Sequence, residues 1–216
     1  MNLEMAGRKC VIVGGGAVAE RKARSLLAAE GAVTIIAPEL NEGLKDLALS
    51  SSLDWYQMSF FRGMISEIRP QLVFCATDNA EVNAQAAEEA REIGALVNAA
   101  AEPEGTDFTV PASFRRGELL VTVSTGGASP GLARALREEL EQEFPESFGA
   151  WLERMTALRQ ELKDSLSGSE ARQAFWRRAL SKNVLALVRD GKILQAEAEI
   201  RNAIDDAGTK SQDSAG

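Results

Sequence analysis

The run Lys9-Cys10-Val11-Ile12-Val13-Gly14-Gly15-Gly16-Ala17-Val18-Ala19 carries the most legible chemistry in this chain: an apolar strand, a glycine turn and the start of an alanine-rich helix. Such a corner binds phosphate. Gly14 is free to take the tight turn, Gly16 has no side chain to hold a pyrophosphate off the backbone, and Ala19 lets the helix press against the strand. The first amides of the helix then face the anion, supported by the positive end of the helix dipole. The spacing G-x-G-x-x-A alone also describes an ordinary strand-to-helix turn; the strand before it and the helix after it favour a dinucleotide.

Two further groups could serve such a ligand. In dinucleotide folds an acid near the tip of the second strand holds the ribose hydroxyls; here the first acid is Glu39, 23 residues after Gly16. It is either that ribose ligand or a solvated loop acid, and the absence of a nearby arginine favours NAD over NADP. The stretch Ser124-Thr125-Gly126-Gly127-Ala128-Ser129-Pro130 combines hydroxyls, glycines and a capped helix start, which makes an amide-lined pocket for a carboxylate or phosphate, or else a tight strand-to-helix connection. Arg115, Arg116, Arg134 and Arg137 flank it. Arg21 and Lys22, one turn into the first helix, reach an anion or face water.

Composition removes several alternatives. The chain has 216 residues, 45% of them hydrophobic, enough for one large core or two modest ones. There is no histidine, so the commonest base near neutral pH and the commonest transition-metal ligand are missing, and no metal-binding residue is expected. A net charge of −8 argues against a nucleic-acid binder, so an anionic ligand needs local basic clusters. Neither a signal peptide nor a membrane-length apolar run is visible, and Cys10 and Cys75 sit in apolar runs as buried reduced thiols; together these predict a soluble, cytoplasmic protein.

The elements that must hold these groups alternate between strand and helix. After a first helix over 18–29 come a strand over 32–39, a polar region over 41–52, a strand within 53–61, an apolar strand over 72–78, a helix over 80–93 capped by Asn79, and a strand over 95–98. This pattern predicts a doubly wound α/β fold with an open, mostly parallel sheet. Its strand ends bring Gly14 to Gly16, Ala37 to Glu39, Ala76 to Asp78 and Asn98 to Glu102 to one crevice, which adds Thr77 and Asp78 to the cofactor candidates. Past residue 105 the pattern changes. Strands over 108–112 and 119–124 predict an antiparallel element that extends the sheet or forms a dimer contact. Helices follow: one capped by Ser129 and Pro130 with Leu132, Leu136, Leu140 and Phe144 on one face, one with Trp151, Met155, Leu158 and Leu162, then helices over 169–181 and 192–205. Phe175 and Trp176 read as packing residues, and the polar residues 207–216 as a disordered tail.

Taken together, Val13-Gly14-Gly15-Gly16-Ala17-Val18-Ala19-Glu20-Arg21-Lys22-Ala23, Ala76-Thr77-Asp78, Val97-Asn98, Asp107-Phe108, Val110-Pro111-Ala112 and Val123-Ser124-Thr125-Gly126-Gly127-Ala128-Ser129-Pro130 resemble the precorrin-2 dehydrogenase / sirohydrochlorin ferrochelatase family, the N-terminal module of siroheme synthases. The resemblance runs from about residue 5 to 205. It implies a Rossmann-like domain over 1–107, a dimerisation and substrate region over 108–146 and a small all-helical domain over 147–206. It implies a homodimer that oxidises precorrin-2 to sirohydrochlorin with NAD, and in many members inserts ferrous or cobaltous ion. Ala17, Val18, Pro38 and Glu39 would line the NAD site. Asn98, Ser124, Thr125, Gly126, Gly127, Ser129 and the arginines 115, 116 and 134 would meet a tetrapyrrole rich in carboxylates. One position departs from the family: where an aspartate usually stands, this chain has Ala101, in Asn98-Ala99-Ala100-Ala101-Glu102-Pro103. Alanine transfers no proton, so Glu102 or Asp107 would have to substitute. The alternative is a module that binds a dinucleotide or a tetrapyrrole without turnover.

Overall fold

The computed structural model describes residues 3–99 and 105–213, with side chains as far as 207. It divides into two compact units, residues 1–110 and 111–216.

The first unit is built on β1 (Lys9–Val13), β2 (Ala32–Ile36), β3 (Asp54–Tyr56), β4 (Leu72–Cys75) and β5 (Leu96–Ala99), a fully parallel sheet in the order β3-β2-β1-β4-β5. Such a sheet is covered on both faces, which is why β1 and β4 read as continuous apolar runs rather than alternating ones. On one face Ile12, Ile35, Phe74 and Leu44 pack with Ala19, Ala23 and Leu26 of α1 (Ala17–Leu27). On the other Val11, Val13, Val73 and Val97 pack with Ala86, Ala87 and Ala90 of α4 (Ala80–Glu92). Asn79 caps α4 as its sequence predicts, its side-chain oxygen accepting from the amides of Glu81 and Val82. Cys10 and Cys75 are both fully buried, and burial pushes the Cys10 thiol up from the usual 9.0 to about 11. At pH 8 a thiol reagent should therefore find no fast-reacting cysteine in the native protein and both cysteines in denaturant. The Cys10 contribution to stability is complete below pH 9.0 and is lost as the pH rises through about 11, a slope that Cys10→Ala should remove.

Two helices of this unit lie where the sequence pattern predicts none. α2 (Glu42–Leu49) lies within the polar region 41–52; Asn41 caps it by accepting from the amide of Leu44, whose side chain is fully buried. α3 (Met64–Ile68) is one short turn whose start is held from α4, where buried Glu89 accepts from the amide of Ser66 at 2.8 Å. The other Glu89 oxygen is buried without a hydrogen bond among the described residues. Glu89→Ala leaves the Ser66 amide unpaired and should cost about 1–3 kcal/mol, read as a melting point lower by several degrees.

In the second unit β6 (Ala112–Arg116) and β7 (Leu119–Val123) pair antiparallel as a separate two-stranded sheet. This corrects the expected strand over 108–112, and of the two roles expected of the antiparallel element, extension of the main sheet or a dimer contact, the first does not occur. The segment before Ala112 is tied to β5 instead: the Asp107 amide donates to the Val97 carbonyl at 2.8 Å, and Asn98 Nδ2 donates to the Phe108 carbonyl at 2.8 Å. Pro111, which has no N–H, then ends that connection. The hairpin loop starts at Gly117, whose φ of +56° suits glycine.

The helices are α5 (Pro130–Glu143), α6 (Ser147–Ser165), α7 (Ser169–Ala179), α8 (Lys182–Arg189) and α9 (Ile193–Asp213). Trp151, Leu158, Leu162, Phe175, Val184, Val188, Ala196, Ile200 and Ile204 form their core, as the apolar stripe on α6 predicts. α8 was not visible as a separate helix in the sequence, and α9 runs through Ala207, where composition pointed to a disordered tail. Once α9 is nucleated against α6 and α8, each added residue gains a backbone hydrogen bond. Leu132 and Leu136 of α5 remain 52% and 38% exposed, so part of the expected apolar face of that helix is uncovered in the single chain.

Candidate functional site

The order β3-β2-β1-β4-β5 places a topological switch between β1 and β4, where ligands of open α/β sheets sit beyond the carboxyl ends of the strands. The glycine turn occupies that place. The Gly14 amide donates to the Ile36 carbonyl at 3.0 Å, and the Ala76 amide donates to the Val13 carbonyl at 2.8 Å, which stitches the ends of β1, β2 and β4 together. Gly14 has φ +125°, and a Cβ there would lie 2.4 Å from the Ala76 carbonyl oxygen. A Cβ on Gly15 would lie 2.0 Å from the Glu39 carbonyl oxygen. Gly16 differs: nothing lies within 4 Å of the position its Cβ would take.

Gly16 is also the N-cap of α1 and has no side chain to satisfy the first helical amides. Ala17 and Val18 are exposed beside it, and Ala19 is fully buried against the sheet. Two glycines are therefore required by protein atoms, and the third leaves uncapped amides facing open space. That is the donor set a pyrophosphate needs.

Around this corner, Pro38 and Glu39 are exposed, and the Glu39 carboxylate has no hydrogen bond or ion pair among the described residues. Thr77 and Asp78 form the loop after β4. Thr77 is braced by buried Asn83, whose Oδ1 accepts from the Thr77 amide at 3.1 Å and hydroxyl at 2.8 Å while Nδ2 donates to the Thr77 carbonyl at 2.9 Å. Asn41 performs a similar task on the other side. Its amide donates to the Gly15 carbonyl at 2.9 Å, and its side chain caps α2 and donates to Glu20 at 2.7 Å. Hydrogen bonds from Arg24 and Asn41 hold the Glu20 carboxyl below the usual range. Sequence reasoning missed Asn41 and Asn83 as supports. Asn41 had a signal, an asparagine directly before a helix; Asn83 sits inside α4 and had none.

Arg21 is exposed, whereas Lys22 is half-buried with its ammonium 5.4 Å from the centre of the Phe74 ring. Burial, with a smaller effect from Arg21, lowers its pKa. Asn98 is buried and holds Phe108, and the Asp107 carboxylate accepts from the Val97 amide at 2.8 Å. Both side chains thus fasten the segment following residue 104 to β5. Ala101 and Glu102 lie outside the described residues.

The second unit contains the loop from Ser124 to Pro130. Its hydroxyls turn inward: Thr125 donates to the Ser129 carbonyl at 3.0 Å and accepts from the Ser129 amide at 3.1 Å, Ser124 accepts from the Gly126 amide at 3.2 Å, and Ser129 caps α5 by accepting from the Leu132 amide at 3.2 Å. Gly126 and Gly127 take φ of +61° and +87° in open surroundings. The flanking arginines are mostly engaged. Arg116 donates to the Phe144 carbonyl at 2.9 Å and pairs with Glu141 and Glu146, each at 3.3 Å, and Arg134 pairs with Glu138 at 2.9 Å. Arg115 is exposed and has no carboxylate partner among the described residues. Those residues contain no cluster of acids and cysteines fit to hold a metal ion, and no helix long and apolar enough to cross a membrane.

Comparison with known proteins matches three segments of the chain. Residues 1–112 match a family described as NAD(P)-binding, residues 116–143 the sirohaem biosynthesis protein central region, and residues 147–204 the sirohaem synthase dimerisation region. The chain is 36% identical over 203 residues to a siroheme synthase of Nitrosococcus oceani and 35% identical over 210 residues to siroheme synthase 2 of Aeromonas salmonicida. These alignments cover 94% and 96% of this chain but only 43% and 42% of the relatives, so the chain spans less than half their length. A solved structure named SirC, precorrin-2 dehydrogenase, shares the fold with a TM-score of 0.73 at 22% identity, over 95% of this chain and 98% of that one. The N-terminal unit is thus a nicotinamide-dinucleotide fold, and the chain belongs to the precorrin-2 dehydrogenase / sirohydrochlorin ferrochelatase family, which includes the N-terminal modules of siroheme synthases.

Proposed function

We propose that this chain oxidises precorrin-2 to sirohydrochlorin with NAD, as a homodimer. The carrying observation is the Gly16 corner, an uncapped helix start in open space with the unpaired Glu39 carboxylate beside it. The amides of Ala17 and Val18 would hold the pyrophosphate and Glu39 the ribose hydroxyls; its charge, with no arginine beside it in sequence, favours NAD over the 2′-phosphorylated form. Bound there, NAD supplies a hydride acceptor. The chain's own part is to orient the macrocycle and to remove a proton. Arg115 and the Gly126–Gly127 loop would take substrate carboxylates, and Asn98 and Asp107 would fix the segment that follows β5. The matched dimerisation region and the exposed leucines 132 and 136 support pairing of two copies. In this reading residues 1–107 bind the dinucleotide, 108–146 the substrate and the second copy, and 147–206 complete the dimer. Incubation with precorrin-2 and NAD should yield sirohydrochlorin and NADH in equal amounts; no product at high enzyme concentration rejects the proposal.

Ala101 favours a second reading, a module that binds dinucleotide and tetrapyrrole without turnover. Ferrous or cobaltous ion would enter as a substrate of a further activity. It is tested by supplying sirohydrochlorin and the metal, where a rate equal to the uncatalysed one excludes chelation.

A further inference from the structure

Within the helical unit a groove of about 400 Å³ lies between side chains of α6 and α7. Its lining is Met155, Arg159, Gln173, Trp176, Arg177 and Leu180. Arg159 and Arg177 make no hydrogen bond or ion pair among the described residues. Six other arginines of this unit, Arg116, Arg134, Arg137, Arg154, Arg189 and Arg201, each pair with a carboxylate, whereas Arg115, Arg172 and Arg178 have no carboxylate partner among the described residues. In a chain with 32 acids against 24 bases, what sets Arg159 and Arg177 apart is that both line the same groove.

Apart from Gln173, the rest of the lining is apolar and in part fixed. Trp176 packs edge-on against buried Phe175, with ring centres 5.3 Å apart and planes at 83°, so its indole forms a braced wall. Met155 adds a polarisable thioether, and Leu180 is 37% exposed at the edge. A guanidinium grips a carboxylate or sulfonate through two parallel hydrogen bonds, and a flat ring stacks on Trp and Met. The volume falls within the range of small-molecule sites, about 300–1,000 Å³.

We propose that this groove is a second binding site, for a small aromatic carboxylate or its sulfonate equivalent. It lies wholly within the helical unit and does not depend on the function assigned to the dinucleotide corner.

The test uses the intact protein and the fluorescent sulfonate 8-anilinonaphthalene-1-sulfonate, with the uncharged N-phenyl-1-naphthylamine as control. Saturable binding of one sulfonate per chain is expected, unaffected by NAD. The double variant Arg159→Ala/Arg177→Ala should bind it about tenfold or more weakly, with circular dichroism unchanged and the uncharged probe little affected. Arg159→Lys/Arg177→Lys should recover part of the affinity. The proposal is overturned if NAD displaces the probe, if the double alanine variant binds like the parent, or if the parent shows no saturable site because a second copy covers the groove.

Discussion

Gly16→Asp is expected to weaken NAD binding by at least about a hundredfold while leaving the melting temperature unchanged or slightly raised. Two opposite effects make this variant informative. At φ −91° and ψ −168° the backbone of Gly16 is extended, which any residue adopts, and its Cβ would meet nothing within 4 Å. Aspartate is moreover a better N-cap than glycine, by a few tenths of a kcal/mol, because its carboxylate accepts from the free helical amides. Those are the amides a pyrophosphate needs, and the new negative charge would occupy its place. Gly15→Ala should do the reverse. Its methyl would lie 2.0 Å from the Glu39 carbonyl oxygen, so the turn after β2 must move, at a cost of about 1–3 kcal/mol. Titration calorimetry for affinity and scanning calorimetry for stability separate the two outcomes. If Gly16→Asp binds NAD like the parent, the phosphate corner is not a binding site. If it unfolds the protein, all three glycines are structural.

Much of this corner was legible because its determinants are local. A run of Val and Ile without alternation, glycines at the turn and Ala19 at the helix contact are consecutive in the chain, and so are Asn79 before α4 and Ser129-Pro130 before α5. What escaped depends on partners distant in sequence. The braces from Asn41 to Gly15 and Glu20, and from Glu89 to Ser66, join residues more than twenty positions apart. Arg116 illustrates the same limit. By type and place it suits an anionic substrate, yet the fold brings Glu141, Glu146 and the Phe144 carbonyl to it, and its charge is largely committed within the chain. The hairpin was displaced because the apolar residues Phe108 and Val110 look like a strand. Whether they form one depends on a pairing partner, and here the Asn98 side chain takes the Phe108 carbonyl instead.

The other large effect is expected from Ala101→Asp, which should raise precorrin-2 dehydrogenase turnover about a hundred- to ten-thousandfold, the usual yield of a positioned acid or base. The resemblance places an aspartate at this position, two residues beyond the last residue of β5, and the chain has no histidine to take over its proton. Asp107 is poorly placed to do so, because its carboxylate already accepts from the Val97 amide. Glu102 is the remaining neighbour. Glu102→Gln therefore forms the necessary comparison. If Glu102 is the working base, the parent enzyme is already active, Glu102→Gln abolishes turnover and Ala101→Asp adds little. If the proton has no acceptor, the parent turns over poorly, Glu102→Gln changes nothing and Ala101→Asp restores the rate with NAD affinity unaltered. A parent and an Ala101→Asp variant that are equally inert, both binding NAD, would leave the proton-acceptor argument without support and favour the binding module.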